Sequence, residues 1–225
     1  WLANRSEELV QIRDLIAENE KLKRQADELT IENTRLQQDR YELTNLRELY
    51  KLDAQYDEYE KTGARIIARD SGNWFHSFVI NKGSQDGIAV NMNVMAGSGL
   101  VGRVVDVGPN WAKVKAIIAD DSNVSAMVLS SSDNMIVSGN LKRYASGVIE
   151  FGLLVDSDNV VMEGDKIVTS NISDIYLPGI LVGYISKINQ DPNNLTKSGD
   201  ITPAVDFEHL EEVLVIMQLK QVPDE

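Results

Sequence analysis

The 225-residue sequence contains no cysteine, so it can form neither a disulfide framework nor a thiolate metal site. Basic residues are also in the minority, because 22 Lys and Arg stand against 35 Asp and Glu and the formal net charge is −13. No Lys/Arg-rich run is available to neutralise phosphates, so we expect no nucleic-acid partner. No stretch approaches the run of about 18 apolar residues that a membrane helix needs.

Glycine and proline are missing from the first 62 residues, and all 15 glycines and all 5 prolines come later. The early residues are mostly Leu, Glu, Lys, Arg, Gln and Ala, which favour helices. This composition predicts one uninterrupted helix over residues 7–59, roughly 80 Å long at 1.5 Å per residue.

Leucines recur every seven residues along this helix, which is typical of the d positions of a coiled coil. Asparagines occupy two of the paired a positions, and Asn at an a position favours a parallel two-stranded register. We therefore predict a parallel homodimer. Packing of the same stripe against the chain's own later residues is the alternative. The predicted dimer interface comprises Ile12, Leu15, Asn19, Leu22, Ala26, Leu29, Asn33, Leu36 and Leu43.

Beyond residue 62 the pattern changes to short β-type runs separated by Gly, Pro, Asn and Asp turns. Many short strands at this spacing predict a mainly β region of two small six-stranded barrels after the helical coiled coil. We expect a coiled-coil helix at 1–62, a first barrel at 63–120 completed by a C-terminal strand near 200–220, and a second barrel at 121–199. The runs lie at residues 64–68, 76–81, 101–107, 113–118, 124–129, 165–169, 181–188 and 213–219.

Three motifs could carry chemistry, and each has a structural interpretation that fits better. Residues 97–102 read GSGLVG, but a dinucleotide site needs a helix after the glycines, and the following residues predict a strand, so a hairpin is favoured. The histidines, His76 and His209, have no nucleophile sequence to accompany a protease triad. The acidic run at 156–159 lacks the Gly and Glu of a calcium loop. We predict no catalytic, cofactor or metal site.

Several later motifs, taken together in order and spacing, resemble the bacterial MreC family of rod shape-determining proteins. One departure is Asn171, where such proteins carry Gly, and we expect Asn to keep a left-handed turn there. The matching motifs are Trp74, VINKGSQDGI at 79–88, NMNV at 91–94, GLVGRV at 99–104, GDKIVTS at 164–170, PGILVG at 178–183 and PAVDF at 203–207. The turn residues within or between them are Gly83, Gly87, Gly99, Gly102, Gly164, Asp165, Pro178, Gly179 and Gly183.

The resemblance implies a non-enzymatic scaffold of the cell-elongation machinery, which organises peptidoglycan synthases outside the inner membrane. It also implies a single-pass protein of that membrane, whose anchoring N-terminal helix would precede this sequence and whose barrels lie in the periplasm or extracytoplasmic space. The implied partners are MreD, a class B penicillin-binding transpeptidase, RodA and MreB, with a homodimer or a filament as the self-assembly. We expect the barrels to offer strand edges and apolar grooves to these partners.

Two other classes of protein compete with the scaffold. A periplasmic adaptor of an efflux or secretion system also joins a coiled coil to small β domains, but such adaptors build an antiparallel hairpin of two long helices. An enzyme with protease-like barrels comes third. The second long glycine-free helix that an adaptor needs is not present in this sequence.

The leucine stripe generates the first prediction. Changing Leu22, Leu29 and Leu36 together to Ala should abolish the dimer, because each buried leucine lost costs roughly 2 to 5 kcal/mol. Sedimentation velocity of the purified protein measures this directly, and an unchanged dimer would contradict the predicted interface.

Overall fold

The computed structural model describes residues 2–69, 76–97, 99–156, 159–192 and 195–221, with helix side chains described from residue 18 onward. A single helix, α1 (Leu2–Gln55), opens the chain. The chain divides into two compact units, the first ending at Arg47 and the second beginning at Glu48. Among the described residues, no helix is both long and apolar enough to cross a membrane.

The predicted uninterrupted helix is present, but it ends four residues earlier than expected. The cause is Lys61, whose side chain is only 2% exposed and whose ammonium pairs with the Asp53 carboxylate at 3.2 Å. The ammonium also donates hydrogen bonds to the carbonyls of Asp53, Tyr56 and Tyr59. Carbonyls at a helix end have no partner within the helix, so Lys61 provides one and fixes the point where the chain leaves it.

The first barrel closes in the order β1-β12-β3-β4-β5-β2, with every neighbouring pair antiparallel. Alternate side chains of these strands, such as Val94, Leu100, Val104 and Val114, fill its interior and are fully buried. Its strands are β1 (Lys61–Arg69), β2 (Ser77–Ile80), β3 (Asn93–Ala96), β4 (Gly99–Val107), β5 (Ala112–Ala116) and β12 (Glu212–Ile216).

The second barrel closes in the order β10-β11-β8-β7-β6-β9, again with antiparallel pairs. A short helix, α2 (Leu141–Tyr144), connects β7 to β8 and is capped by the Asn140 side chain. Its strands are β6 (Asn123–Val128), β7 (Asn134–Ser138), β8 (Ile149–Leu154), β9 (Lys166–Thr169), β10 (Leu181–Gln190) and β11 (Lys197–Pro203). The predicted class, a long helix followed by two six-stranded barrels, is therefore confirmed.

The glycine-rich run at 97–102 lies in the first barrel. Strands β3 and β4 pair across it in a hairpin in which Ala96 faces Gly99, so a strand rather than a helix follows the glycines. A nucleotide fingerprint needs a helix there. The residue between Gly97 and Gly99, like Trp74, lies outside the described residues.

The two expectations about exposed backbone have different outcomes. Both sheets close on themselves, so most of the strand backbone is paired. The end of β10 from Lys187 to Gln190 pairs with β11 alone, so the expected strand edges stay a prediction there. The turn at Asn171 is present, but Asn171 is absent from the described residues with positive φ, and the turn does not use the left-handed conformation.

The predicted turn residues fall into groups by their surroundings. Gly87, Gly164 and Gly179 have positive φ angles of 84°, 95° and 79°. Asp165 Oδ2 accepts a hydrogen bond from the Met162 N–H at 2.9 Å, and the Pro178 carbonyl accepts one from the Tyr59 hydroxyl at 3.0 Å. At four others a Cβ atom would lie within 2.4 Å of a backbone carbonyl oxygen, and these are Gly83, Gly99, Gly102 and Gly183.

Gly102 gives the sharpest stability prediction. Its Cβ position is 1.9 Å from the Lys115 carbonyl oxygen across the β4–β5 pair, whereas a Cβ on Gly152 meets nothing within 4 Å. We expect Gly102→Ala to lower the free energy of unfolding by about 1–3 kcal/mol, because the strands must separate. Gly152→Ala should leave it nearly unchanged. Urea denaturation at one protein concentration compares the two, and equal stabilities would contradict the close contact.

Candidate interaction surfaces

The first candidate surface is the leucine stripe of α1. In the single chain Leu22, Leu29 and Leu36 are 56%, 65% and 55% exposed. Leu43, Asn19, Ala26 and Asn33 are exposed as well, whereas the side chains of Ile12 and Leu15 lie outside the described residues. Large apolar side chains repeated along one helix face indicate a surface that a partner covers. The homodimer therefore stays a prediction that this exposure supports.

The second candidate surface is a groove of about 200 Å³ on the second barrel. Sequence reasoning missed it, because its residues come from β6, β7, β8 and the segment after β9. Leu153 and Ile172, which lie on it, are 64% and 65% exposed. The eight residues of the groove include no charged side chain, although the chain as a whole is rich in charge. They are Ser125, Ala126, Asn134, Met135, Ile136, Leu153, Ser170 and Ile172.

Leu153 has an unfavourable backbone conformation. Its φ angle is +58°, in the left-handed region that disfavours a residue with a Cβ atom by roughly 1–2 kcal/mol. A glycine would adopt the same angle without this cost. The leucine side chain is also exposed rather than packed in the barrel core. Strained residues of this kind concentrate at ligand and partner sites, so Leu153 marks the groove as a candidate binding surface.

The chain beyond Leu153 is anchored by a buried ion pair. Lys197 Nζ lies 2.6 Å from Asp156 Oδ2, and the Asp156 side chain is fully buried. The same carboxylate accepts hydrogen bonds from the Val160 and Val161 N–H groups at 2.9 and 3.3 Å. Burial alone would raise the pKa of Asp156, but the Lys197 ammonium and the two N–H groups outweigh it, so its pKa is lowered.

This anchor holds further apolar side chains at the surface. Val155, Val160 and Met162 are all exposed, whereas Leu154 and Val161 are buried in the barrel. The Asp156 carboxylate therefore fixes a chain segment whose outward residues are apolar. Together with Leu153, these side chains add to the exposed apolar residues of this barrel.

The described residues contain no group of three or more His, Asp or Glu side chains that could hold a metal ion. His209 pairs with Asp206 at 2.7 Å in an exposed turn. The hydrogen bond to that carboxylate raises the pKa of His209. Two exposed side chains within three residues of each other are explained as a local turn contact, which contributes little stability.

The comparisons with known proteins point to one family. The family model described as rod shape-determining protein MreC, barrel core, matches residues 66–217. The cell shape-determining protein MreC of Listeria monocytogenes is 28% identical over 222 residues, which cover 92% of this chain and 70% of that protein.

Two solved structures have a similar fold. MreC of Listeria monocytogenes, at 29% identity and a TM-score of 0.67, covers 84% of this chain and 94% of its own. A chain in a complex between penicillin-binding protein PBP2 and MreC from Helicobacter pylori has a TM-score of 0.55 at 18% identity, covering 71% of this chain and 98% of its own. The resemblance recognised in the sequence is confirmed.

The Asp156–Lys197 pair gives a prediction with a defined pH dependence. Because the folded pKa of Asp156 is lowered, the carboxylate stabilises the protein above its unfolded pKa of about 3.9 and loses that contribution as the pH falls through the folded value. We expect Asp156→Asn to lower the free energy of unfolding at pH 7 by about 3 kcal/mol, since it leaves Lys197 without its charged partner.

Denaturation at pH 7 and at pH 3 measures this difference. The difference in free energy of unfolding between wild type and Asp156→Asn should shrink at pH 3, because this pH lies below the unfolded pKa and the carboxyl of the unfolded chain is then mostly protonated. Asp133→Asn, a change of a half-buried carboxylate on the same barrel, is the control and should cost little at either pH. If the difference in free energy of unfolding stays constant from pH 7 to pH 3, the stabilising role assigned to the Asp156 carboxylate is contradicted.

Proposed function

Because this chain belongs to the MreC family of rod shape-determining proteins, we propose that it is a non-catalytic scaffold of the bacterial cell-elongation machinery. In this role it organises peptidoglycan synthases on the outer side of the inner membrane. The observation that carries the proposal is the joining of two exposed apolar surfaces in one chain, a leucine stripe and an uncharged groove. One surface serves self-association and the other serves a partner.

We propose that the leucine stripe forms the parallel homodimer. Asn19 and Asn33 lie on the same exposed face and would meet their counterparts in a parallel pair. Ile31 is the matched control for the leucine substitutions, because it is exposed but lies outside the stripe. Ile31→Ala should therefore leave the dimer intact. Further association of dimers into a filament would need a second contact, because a two-fold dimer interface is closed.

We propose a class B penicillin-binding transpeptidase as the partner of the groove. The support is the Helicobacter pylori relative, which forms a complex with the penicillin-binding protein PBP2. That relative's chain aligns almost completely with 71% of this chain, a share that the two barrels alone account for. The apolar, uncharged groove fits an apolar side chain of a protein partner better than a charged one.

Membership of the family also supports the remaining proposals about partners and location. We propose that MreD, RodA and MreB belong to the same assembly, that a membrane helix anchors the protein, and that the barrels lie outside the inner membrane. We keep the domain boundaries of 1–62, 63–120 with 200–220, and 121–199 as proposals. In the structure β1 begins at Lys61 and β11 ends at Pro203, close to these limits.

The adaptor of an efflux or secretion system is less well supported. Its antiparallel hairpin needs two long helices, and the only other α-helix among the described residues is α2, which has four residues. The family match and the relatives all carry the name of a cell-shape protein. The scaffold is therefore the function that the combined observations favour.

The proposed scaffold role predicts the stoichiometry of the complex with a transpeptidase. Purified protein mixed with the soluble part of a class B penicillin-binding transpeptidase from the same organism should form a complex of two chains with two transpeptidases. The triple leucine variant should give a complex of one chain with one transpeptidase.

Leu153→Asp should weaken binding of the transpeptidase at least about ten-fold, since a buried charge in an apolar contact costs more than about 1.4 kcal/mol. Mass photometry measures the stoichiometry of the complex, and biolayer interferometry measures its affinity.

Ile67→Asp is the control for the groove variant, because Ile67 is 56% exposed on the first barrel. It should bind as the wild type does. If the wild type does not bind the transpeptidase, the proposed partner is wrong. If Leu153→Asp and Ile67→Asp both bind the transpeptidase as the wild type does, the transpeptidase remains the proposed partner. The groove is then not the site where it binds.

A further inference from the structure

Residues 170–181, here called the relay segment, connect the groove to the end of helix α1. At its beginning the segment forms part of the groove wall through Ser170 and Ile172. The Ser170 hydroxyl donates a hydrogen bond to Asn134 Oδ1 at 2.7 Å, so the segment is bonded to another residue that lines the groove. The shape of the groove therefore depends on where the relay segment lies.

The other end of the relay segment is held by two tyrosines that follow the last helical turn. The Tyr59 hydroxyl donates a hydrogen bond to the Pro178 carbonyl at 3.0 Å. The Leu181 N–H donates one to the Tyr56 hydroxyl at 3.1 Å. Tyr56 is buried, and burial is the main cause of its raised pKa, so the phenol is held in its neutral hydrogen-bonding form.

The tyrosines themselves have little freedom to move. The Lys61 ammonium binds the carbonyls of both Tyr56 and Tyr59. Leu52, one turn earlier, is 1% exposed in the core that the barrels share. The helix end is therefore held by packing and by Lys61. Its two tyrosine hydroxyls are hydrogen-bonded to the relay segment.

Buried hydrogen bonds also hold the middle of the relay segment in place. The buried Asn93 side chain of β3 accepts a hydrogen bond from the Leu177 N–H at 2.8 Å and donates one to the Ile175 carbonyl at 3.1 Å. Thr169 Oγ1 donates to the Leu177 carbonyl and accepts from the Ile180 N–H. Leaving such buried groups unpaired is costly, so these contacts restrict how the segment can rearrange.

We infer that Tyr56 and Tyr59 are positioning residues that set the shape of the groove on the second barrel through the relay segment. Packing of the helix end and occupancy of the groove are then energetically linked, and the linkage is reciprocal, because each favours the same position of the segment. The consequence for a transpeptidase rests on the proposed function, whereas the linkage itself concerns only this chain.

Because the sequence contains no cysteine, one introduced cysteine can be labelled specifically to test the linkage. An environment-sensitive fluorophore on Ile172→Cys reports on the groove wall, and amide hydrogen exchange reports on residues 170–181. In the Tyr56→Phe/Tyr59→Phe variant both hydroxyls are lost while both rings remain. We expect the relay-segment amides to exchange at least about five-fold faster, as for the loss of one net hydrogen bond, and the label emission to shift.

Tyr144→Phe is the matched control, because the Tyr144 hydroxyl also accepts a hydrogen bond from a backbone N–H, that of Phe207 at 3.3 Å. This variant should leave exchange in residues 170–181 and the Ile172→Cys emission as in the wild type. Tyr59→Phe alone, at a half-buried site, serves if the double variant unfolds, and it should show a smaller effect of the same sign.

The inference is overturned if the tyrosine variants exchange and emit as the wild type does, or if Tyr144→Phe produces the same changes. Neither measurement uses a transpeptidase. Failure of this linkage is therefore distinguishable from failure of the proposed partner, which the binding experiment decides separately.

Discussion

The pairing of β12 with β1 is the constraint on which the rest of the second structural unit depends. Glu212–Ile216 lies antiparallel to the first residues of β1, about 150 positions earlier in the chain. Closing a sheet satisfies the backbone groups that an edge would expose. The pairing continues one residue before β1, because the Met217 N–H donates to the Glu60 carbonyl at 2.8 Å. The second barrel is consequently an insertion between β5 and β12.

Closure of both sheets leaves little strand backbone for a partner to pair with, so recognition depends mainly on side chains. Many of the apolar side chains left exposed lie on the helix and on the second barrel, among them the leucine stripe and Leu153. In the proposed function, one of these surfaces joins two copies and the other holds an enzyme. A geometric role of this kind agrees with a family described as rod shape-determining.

Sequence reasoning predicted the helix and most of the strands correctly, and it missed β3, β7, β8 and β11. Gly199, Asp200 and Pro203 weaken the local β signal of β11, and β3 has only four residues. Each pairs with strands on both sides, and those pairings outweigh its own propensity. The end of the helix was also misjudged, because no local pattern reveals that Lys61 binds the carbonyls before it.

The sequence by itself determined the helix, its heptad stripe, the β class and the family, because each of these depends on residue spacing within a short window. Only the tertiary structure decided the groove and the relay segment. Tyr59 meets Pro178 across 119 positions, and Asn93 meets Leu177 across 84. Such contacts exist because two barrels close and pack on one helix end, and no local periodicity encodes which distant residues that closure brings together.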